Sequence, residues 1–493
     1  MPIFYSALLL TGVNLLLRLV ATSFQVFLSG QIGAAGIGLL QLVLSVGSLA
    51  LTVGMAGIRT ATMYLTAEEL GKKRYQNVTW VLSACCLYSI LCSGAMALVL
   101  HVFAPFLAMR WIGDPRTADA IRLYGTFLPV ICLCGVMTGY FTAANRIGTL
   151  AAVEVGEQLV YITVTMAVLS LWAGQDPDKA CQGVILGSGI SSCLTLAVLL
   201  ILRLREKAKT GTRIPIARRL LKTAVPLGLG DTLRTGISTA ENLLVPKRLA
   251  LYNRASDPLA AFGTVCGMVF PVLMFPAAIV FGLAELLIPE LARCAATGST
   301  RRIQYLTKRA LRATLLYGCL MCGGELLLAK PLCAALYKSP EAGQYLQLYA
   351  LLIPMLYCDA ITDAMIKGLG QQTASVRYNI FTSFLDVSLL FVLLPRFGMT
   401  GYLFSFFVTH LINFLLSLRR LFRISGVHIQ LSVPLLATAA TAGGILAGSF
   451  VGNSFGRIAA YGTVFASLLC MFGVVTKEDL FWVKGLAKGR AAR

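Results

Sequence analysis

Apolar stretches of roughly 20 residues, the length of a helix that crosses a bilayer, recur along the whole of this 493-residue chain. Hydrophobic residues make up 57% of the chain and charged residues 13%, whereas a water-soluble protein of this length needs far more charge to cover its surface. No stretch is long and polar enough to form a soluble catalytic domain. The sequence therefore predicts an all-α polytopic membrane protein that is not an enzyme, with a retained first helix rather than a cleaved signal.

The apolar stretches predict about fourteen transmembrane helices. We place them at about residues 4–28, 37–65, 78–101, 119–144, 149–172, 181–202, 220–246, 258–288, 307–329, 343–369, 373–394, 398–418, 431–451 and 457–475. The longest polar interruption, residues 203–222, carries eight basic residues and one acid. It lies near the middle of the chain and is predicted to be a cytoplasmic linker.

The basic residues predict the orientation. Most of the 42 Lys and Arg residues fall in alternate loops, in the central linker and in the C-terminal segment, and the positive-inside rule places such segments in the cytoplasm. Both termini of this multi-pass membrane protein are therefore predicted to be cytoplasmic. Because the charge sits in short loops beside membrane lipids, the net charge of +21 does not indicate nucleic-acid binding.

The two halves of the chain repeat at one fixed offset in sequence number. The segment LYGTFLP at 123–129 matches LYALLIP at 348–354, and Gly38 matches Gly263 at the same offset. Six spans in each half give repeats of the same orientation, related by an axis along the membrane normal, with a central cavity expected between them. The predicted domains are an N-lobe at 1–202, the linker at 203–222, a C-lobe at 223–424, and two added helices with a basic cytoplasmic tail at 425–493.

Two lobes around a cavity are typical of a transporter that opens alternately to either side. A charge inside a span costs roughly 2.5–3.5 kcal/mol on insertion scales, so such residues indicate function unless they are paired or near an end. Arg18 lies at least ~15 Å along the helix from either end of its span and is predicted to face the cavity. The other charged residues within spans that are candidates for the cavity are Arg59, Arg234, Glu241 and Glu285.

Several acidic residues are candidates for cation binding or coupling. Asp231 stands three residues before Arg234, a spacing that equally predicts an ion pair on one helix face. An Asp363–Lys367 pair is expected for the same reason. The coupling candidates are Asp231, Glu154, Glu157, Asp359 and Asp386. Prolines within spans kink helices, and the hinge candidates are Pro129, Pro354, Pro226 and Pro289.

Three segments resemble the stage V sporulation protein B family of flippases. They are RLVATSFQVFLSGQIGAAGIGLLQL at 18–42, TGYFTAANRIGTLAAVEVGEQLVYI at 138–162 and LLIPELAR at 286–293. The resemblance spans nearly the whole chain and places it in the multidrug/oligosaccharidyl-lipid/polysaccharide exporter (MOP) superfamily, beside MurJ-like flippases. By motif, Arg18 occupies the first family arginine of span 1, Gln25 replaces the second, and Glu241 matches a family glutamate. Arg59 lies in a span that carries a cavity arginine in MurJ-like relatives.

The resemblance implies a fourteen-helix flippase of the bacterial cytoplasmic membrane that works by alternating access. Its implied substrate is an undecaprenyl-pyrophosphate-linked glycan, moved across the membrane for peptidoglycan, polysaccharide or spore cortex assembly. The implied partners are that lipid, membrane lipids and wall-synthesis enzymes, and the protein is expected to act as a monomer. No metal or cofactor is expected, because the fourteen cysteines and three histidines lack metal-site spacing. Coupling to the membrane potential, Na+ or H+ is expected instead.

Three other functions fit parts of the sequence. A cation-coupled multidrug exporter of the same superfamily would favour an acidic first-lobe cavity and twelve spans. A membrane glycosyltransferase or ligase would need catalytic acids in a large outer loop, and the largest, at 102–118, offers only Asp114. A non-transporting scaffold of a wall-synthesis complex is the third alternative.

Overall fold

The computed structural model describes residues 2–173, 177–205, 216–252, 257–427 and 432–474. These residues form seventeen α-helices, joined by short π-helical and 3₁₀ segments. The helices are α1 Pro2–Met55, α2 Ile58–Gly71, α3 Tyr75–Phe106, α4 Ala118–Ala143, α5 Ile147–Val168, α6 Pro177–Leu204, α7 Ala217–Leu249, α8 Pro258–Gly263, α9 Phe270–Leu273, α10 Ala277–Ala296, α11 Thr300–Tyr337, α12 Pro340–Ala350, α13 Ile353–Gly368, α14 Gln372–Phe397, α15 Met399–Ser425, α16 Ser432–Ser449 and α17 Ser454–Met471. Residues 206–215 of the predicted linker and residues 475–493 of the predicted tail lie outside the described residues.

The described helices account for the predicted spans. Ten helical stretches are long and apolar enough to cross a membrane, and two bent pairs, α8–α9 with α10 (63°) and α12 with α13 (56°), bring the number to twelve. The stretch Leu16–Gly71 has 56 residues, enough for two spans, and its helix breaks at Gly33 (φ 70°, ψ 178°). Helix α7 has 33 residues, long enough for the remaining predicted span, but its polar residues leave it outside the apolar stretches counted above.

The chain divides into two compact units, Met1–Met268 with Asp386–Tyr402, and Val269–Leu385 with Leu403–Arg493. In the first unit, the segment from Gly33 through α2 packs antiparallel against α7. Thr239 Oγ1 donates to the Ser45 carbonyl (3.1 Å), and Asn242 Nδ2 donates to Ser45 Oγ (3.0 Å). At the other end of this contact between α2 and α7, the Arg219 guanidinium pairs with the Glu68 carboxylate (2.5 Å). Hydrogen bonds and ion pairs thus follow this helix pair along its length.

In the second unit, α11 is the central helix. It packs against α12 and α13 on one side and against α16 and α17 on another. The Tyr461 hydroxyl of α17 donates to the Cys319 carbonyl of α11 (2.8 Å), and Tyr461 is almost fully buried. The two C-terminal helices are therefore anchored on α11 through a buried hydrogen bond.

The internal repeat is visible in the backbone of each half. At the offset read from the sequence, the starts of α3 and α11 are equivalent, as are the ends of α4 and α13 and the starts of α5 and α14. Left-handed residues that end helices recur with the same offset: Lys73 and Gly298, Gly113 and Lys338, Asn145 and Gly370. The equivalent of α4, however, is broken into α12 and α13. The sequence offset thus relates equivalent helix ends in the two repeats. The predicted lobe boundaries stay predictions.

Candidate functional site

Arg59 lies in the first turn of α2, a helix that begins directly after two residues with left-handed backbone, Ala56 and Gly57. Its side chain is not covered by other parts of the protein. The guanidinium is near enough to Glu154 of α5 to act on that carboxylate electrostatically. The α2 backbone also packs closely on α4 at this point, because a Cβ at Gly139 would overlap the Arg59 carbonyl oxygen. The structure therefore brings together one predicted cavity arginine and one predicted coupling acid.

Glu157 lies one turn further along α5. It accepts a hydrogen bond from Ser192 Oγ of α6 (3.3 Å), and Cys134 Sγ of α4 donates to the Ser192 carbonyl (3.3 Å). The second of the two α5 acids is thus held by a neutral hydroxyl group, whose residue is in turn tied to α4 through its backbone. Arg18 of α1 is half-buried and makes a polar or charge interaction within the protein.

Gln25 has a structural partner. Its Nε2 donates to the carbonyl of Gly267 (3.2 Å), which lies in the π-helical segment Thr264–Val269 between α8 and α9. The irregular backbone here leaves carbonyls for side chains to satisfy. The predicted role of Gln25 in the substrate cavity stays a prediction, and its side chain ties α1 to this segment.

A pair of carboxyl groups joins α7 and α14. The side chains of Glu241 and Asp386 lie within hydrogen-bonding reach of each other, and Asp386 is 6% exposed. Cys266 lies beside Glu241 and within hydrogen-bonding reach of the Tyr402 hydroxyl. Two carboxylates this close cannot both remain charged without a shared proton or a bound cation. The sequence proposed both residues singly, but their wide separation along the chain hid the pairing.

Asp231 and Arg234, also on α7, are both exposed. No ion pair within 4.0 Å joins these two described residues, so the expected pairing on one helix face is absent. The neighbouring expectation for α13 is confirmed, because Lys367 Nζ lies 2.5 Å from Asp363 Oδ2.

In the second unit, Asp359 of α13 and Asn413 of α15 form a buried polar contact. Asn413 Nδ2 donates to both Asp359 oxygens (3.0 and 3.2 Å), and His410 Nδ1 lies 3.6 Å from Oδ2. The sequence proposed Asp359 but not its partners. Their spacing of three residues on an otherwise apolar helix was an available signal. Glu285 of α10 is exposed, and its place in the substrate cavity stays a prediction.

The proposed hinge prolines occupy different settings. Pro129, Pro226 and Pro289 lie inside α4, α7 and α10, which continue through them. Pro354 lies in the first turn of α13, directly after the break that separates α13 from α12. The hinge role stays a prediction for all four.

Sequence reasoning missed Glu325 of α11. It is 8% exposed, and neither carboxyl oxygen has a hydrogen-bond partner among the described residues. A glutamate within the apolar run of span 9 was the available signal. Among the described residues, no group of three or more His, Cys, Asp or Glu side chains has the geometry of a metal site.

The apolar helices are those of a multi-pass membrane protein, and solved structures of membrane transporters have a similar fold. The solved structure of the lipid II flippase MurJ in an inward closed conformation matches with a TM-score of 0.74 and 13% identity, covering 96% of this chain and all of that chain. An inward-facing multidrug resistance MATE family transporter matches with a TM-score of 0.66 and 13% identity, covering 85% of this chain and all of that chain.

Sequence comparisons agree with this fold. Residues 10–174 match the family model described as MatE. Stage V sporulation protein B of Bacillus subtilis is 22% identical over 96% of both chains. In sequence and in fold, the chain is thus similar to proteins of the MOP superfamily.

Proposed function

We propose that this protein is a flippase for a lipid-linked oligosaccharide of the undecaprenyl-pyrophosphate class, working by alternating access. The observation that carries the proposal is the end-to-end similarity to MurJ, which covers 96% of this chain, whereas the MATE family transporter covers 85%. The similarity to stage V sporulation protein B over 96% of the chain supports a role in peptidoglycan, polysaccharide or spore cortex assembly. Wall-synthesis enzymes would then supply and consume the substrate, and the chain would act as a monomer.

The proposed head-group site uses arginine chemistry. A pyrophosphate carries charge on oxygens that a planar guanidinium pairs with in a bidentate fashion. Arg18 of α1 and Arg59 of α2 are the arginines proposed to meet the phosphates. Gln25, Arg234 and Glu285 are further residues proposed to contact the substrate. The polyprenyl tail stays in lipid while the polar head crosses, so the site needs to bind only the head.

The proposed coupling site is the Glu241–Asp386 pair. Its two carboxyl groups lie within hydrogen-bonding reach, and a proton or Na+ would remove the repulsion between them. Glu154, Glu157, Asp231 and Asp359 are the further coupling candidates. Binding and release of the cation would bias the transporter between conformations, because a ligand shifts such an equilibrium by its differential affinity.

The decisive experiment measures flipping of a fluorescent undecaprenyl-pyrophosphate sugar in proteoliposomes. Arg18→Ala is expected to lower the flipping rate by at least tenfold, since a lost charge-assisted phosphate contact is worth about 1.5–3 kcal/mol. Arg122→Ala is the matched control, because Arg122 is exposed and pairs with Asp119 of its own helix turn (2.9 Å). Flipping that is absent from the wild type, or unchanged in Arg18→Ala, contradicts the proposal.

A cation-coupled multidrug exporter is the second candidate. The Glu241–Asp386 pair and the similarity to a multidrug resistance transporter favour it. Proteoliposomes with an imposed Na+ or proton gradient would then extrude a cationic dye, and Glu241→Gln would abolish extrusion. Dye extrusion without lipid flipping would assign the protein to this class. Neither activity would favour the scaffold.

A further inference from the structure

Glu325 is a buried acid inside the helix bundle of the second unit. Its side chain is 8% exposed, and neither Oε1 nor Oε2 has a hydrogen-bond partner among the described residues. Holding a carboxylate in its charged form in such a place costs several kcal/mol. The group therefore needs a ligand that removes its charge.

The internal repeat shows that packing does not require an acid at this position. Leu100 of α3 is the equivalent of Glu325 in the first repeat, at the offset that relates Gly38 to Gly263. Leu100 is 1% exposed, and a Cβ on Gly125 of α4 would lie 3.1 Å from the Leu100 Cβ. An ordinary apolar side chain thus fills the equivalent position of the first repeat. The second repeat has a glutamate where the first has a leucine, in the same local fold. This difference indicates that Glu325 has a function other than packing.

The surroundings of Glu325 include a broken helix. Gln347 Nε2 of α12 donates to the Leu326 carbonyl (3.3 Å), and a Cβ at Gly318 would lie 2.8 Å from Pro354 Cα. This antiparallel register places Glu325 opposite the end of α12. At this end the Leu352 N–H donates a hydrogen bond to the Tyr349 carbonyl, three residues earlier, instead of continuing the α-helical pattern. The equivalent helix α4, opposite Leu100, is continuous. The repeat with the buried acid is the one in which this helix breaks.

The groups around Glu325 are suited to a proton rather than a metal ion. Tyr317, Cys322 and Cys333 of its own helix are the titratable groups that interact with it electrostatically. They offer thiols and a phenol, not the several oxygen ligands that a hard cation takes.

Most ionisable side chains on the packed helices have partners of their own, whereas Glu285 of α10 is exposed and Cys358 of α13 is a buried thiol. Glu290 of α10 pairs with Arg302, Tyr345 of α12 with Glu341, Asp359 of α13 with Asn413, Asp363 with Lys367, Arg457 of α17 with the Val451 carbonyl, Tyr461 with the Cys319 carbonyl, and Tyr349 and Tyr357 with aromatic neighbours. Helix α16 carries no ionisable side chain.

We propose that the carboxyl group of Glu325 is a proton-binding site, occupied in this conformation, at the contact between α11 and the break of the α12–α13 helix. The proton neutralises the acid while the helices are packed together. Movement at the break would open the site to water and allow the proton to leave. The proposal does not depend on which substrate the transporter carries.

Infrared spectroscopy of the reconstituted full-length protein tests the proposal. The wild type minus Glu325→Gln difference spectrum should contain the carbonyl band of a protonated carboxylic acid at neutral pH, and this band should disappear reversibly as the pH rises. Glu341→Gln, which changes an exposed glutamate of α12, should leave that band in place. A difference spectrum that contains only an ionised carboxylate from mildly acidic to alkaline pH would overturn the proposal.

A second variant separates protonation from packing. Glu325→Leu copies the side chain of the first repeat and should keep the melting temperature of the wild type within a few degrees. It should also remove the pH dependence that the wild type shows in transport, as Glu325→Gln should. If both variants retain the wild-type pH profile, or if Glu325→Leu does not fold while Glu325→Gln does, the acid serves the structure alone and the proposal fails.

Discussion

At the scale of single residues, the closest helix contacts in the first unit depend on glycine. A Cβ at Gly263 of α8 would overlap the Ala34 carbonyl oxygen and the Gly38 nitrogen, both of which belong to backbone. Backbone atoms cannot rotate away as a side chain can. The two glycines matched by the repeat, Gly38 and Gly263, thus meet each other in the folded unit, a contact that the offset alone did not reveal.

Gly263→Ala is expected to destabilise the protein by about 1–3 kcal/mol, the cost of inserting a methyl group into a packed contact. Gly94→Ala is the matched control, because a Cβ at Gly94 would meet nothing within 4 Å and alanine favours a helix. Melting temperatures of the purified variants check this. Equal melting temperatures for Gly263→Ala and the wild type would contradict the close contact.

Asp114 gives a pH-dependent prediction. Its carboxylate accepts from Arg116 N–H and pairs with the Arg116 guanidinium (2.7 Å), which lowers the pKa of Asp114 below its ordinary value. A carboxyl with a lowered pKa stabilises the folded state above its unfolded pKa of about 4, and this contribution is lost as the pH falls through the folded pKa.

Asp114→Asn should therefore lower the free energy of unfolding by about 0.2–1 kcal/mol at neutral pH. In acid it should change this free energy by close to nothing, because the Asp114 carboxyl is then as neutral as the amide that replaces it. The measurement is the melting temperature of each protein over that pH range. Asp119→Asn, which changes an acid 69% exposed in its pair with Arg122, should show a smaller effect. A difference for Asp114→Asn that persists unchanged into acid would show that the charge is not its cause.

At the scale of helices, hydrophobic length predicted the spans well because a bilayer imposes one length on all of them. The breaks were harder to predict. Gly33 interrupts one long helix without any polar loop, and α12 ends before α13 within a single apolar run. The Glu241–Asp386 pair was beyond prediction for another reason, since only folding brings α7 and α14 together.

The repeat itself makes a prediction about helix ends. Lys73 and Gly298 both adopt left-handed backbone at equivalent ends (φ 57° and 66°), which costs a residue with a Cβ roughly 1–2 kcal/mol. Lys73→Gly should therefore raise stability slightly, and Gly298→Lys should lower it by about 1 kcal/mol. Chemical unfolding of the two variants checks the opposite signs. A change of the same sign in both would mean that the two ends are not equivalent.

At the scale of the whole molecule, the orientation predicted from the basic residues and the proposed class of substrate together predict a driving force. The positive-inside pattern orients the chain, and we propose that both termini lie in the cytoplasm. A substrate whose head carries two phosphate charges then moves outward in an inside-negative membrane, gaining about 2.3 kcal/mol per charge per 100 mV. The membrane potential is thus a direct driving force for a flippase and a weak one for a neutral drug.

Flipping of the pyrophosphate-linked lipid should accordingly slow when the potential of oriented proteoliposomes is collapsed with valinomycin and potassium. A monophosphate-linked analogue should respond about half as strongly in free-energy terms, because it carries less charge through the same field. The control is Asp386→Asn, which removes the proposed cation site but leaves the substrate charge intact. If the two lipids lose the same fraction of their rate, the potential acts through the coupling site of the protein, and Asp386→Asn should then abolish the response. If each loses rate according to its charge and Asp386→Asn keeps that response, the field acts on the phosphates themselves.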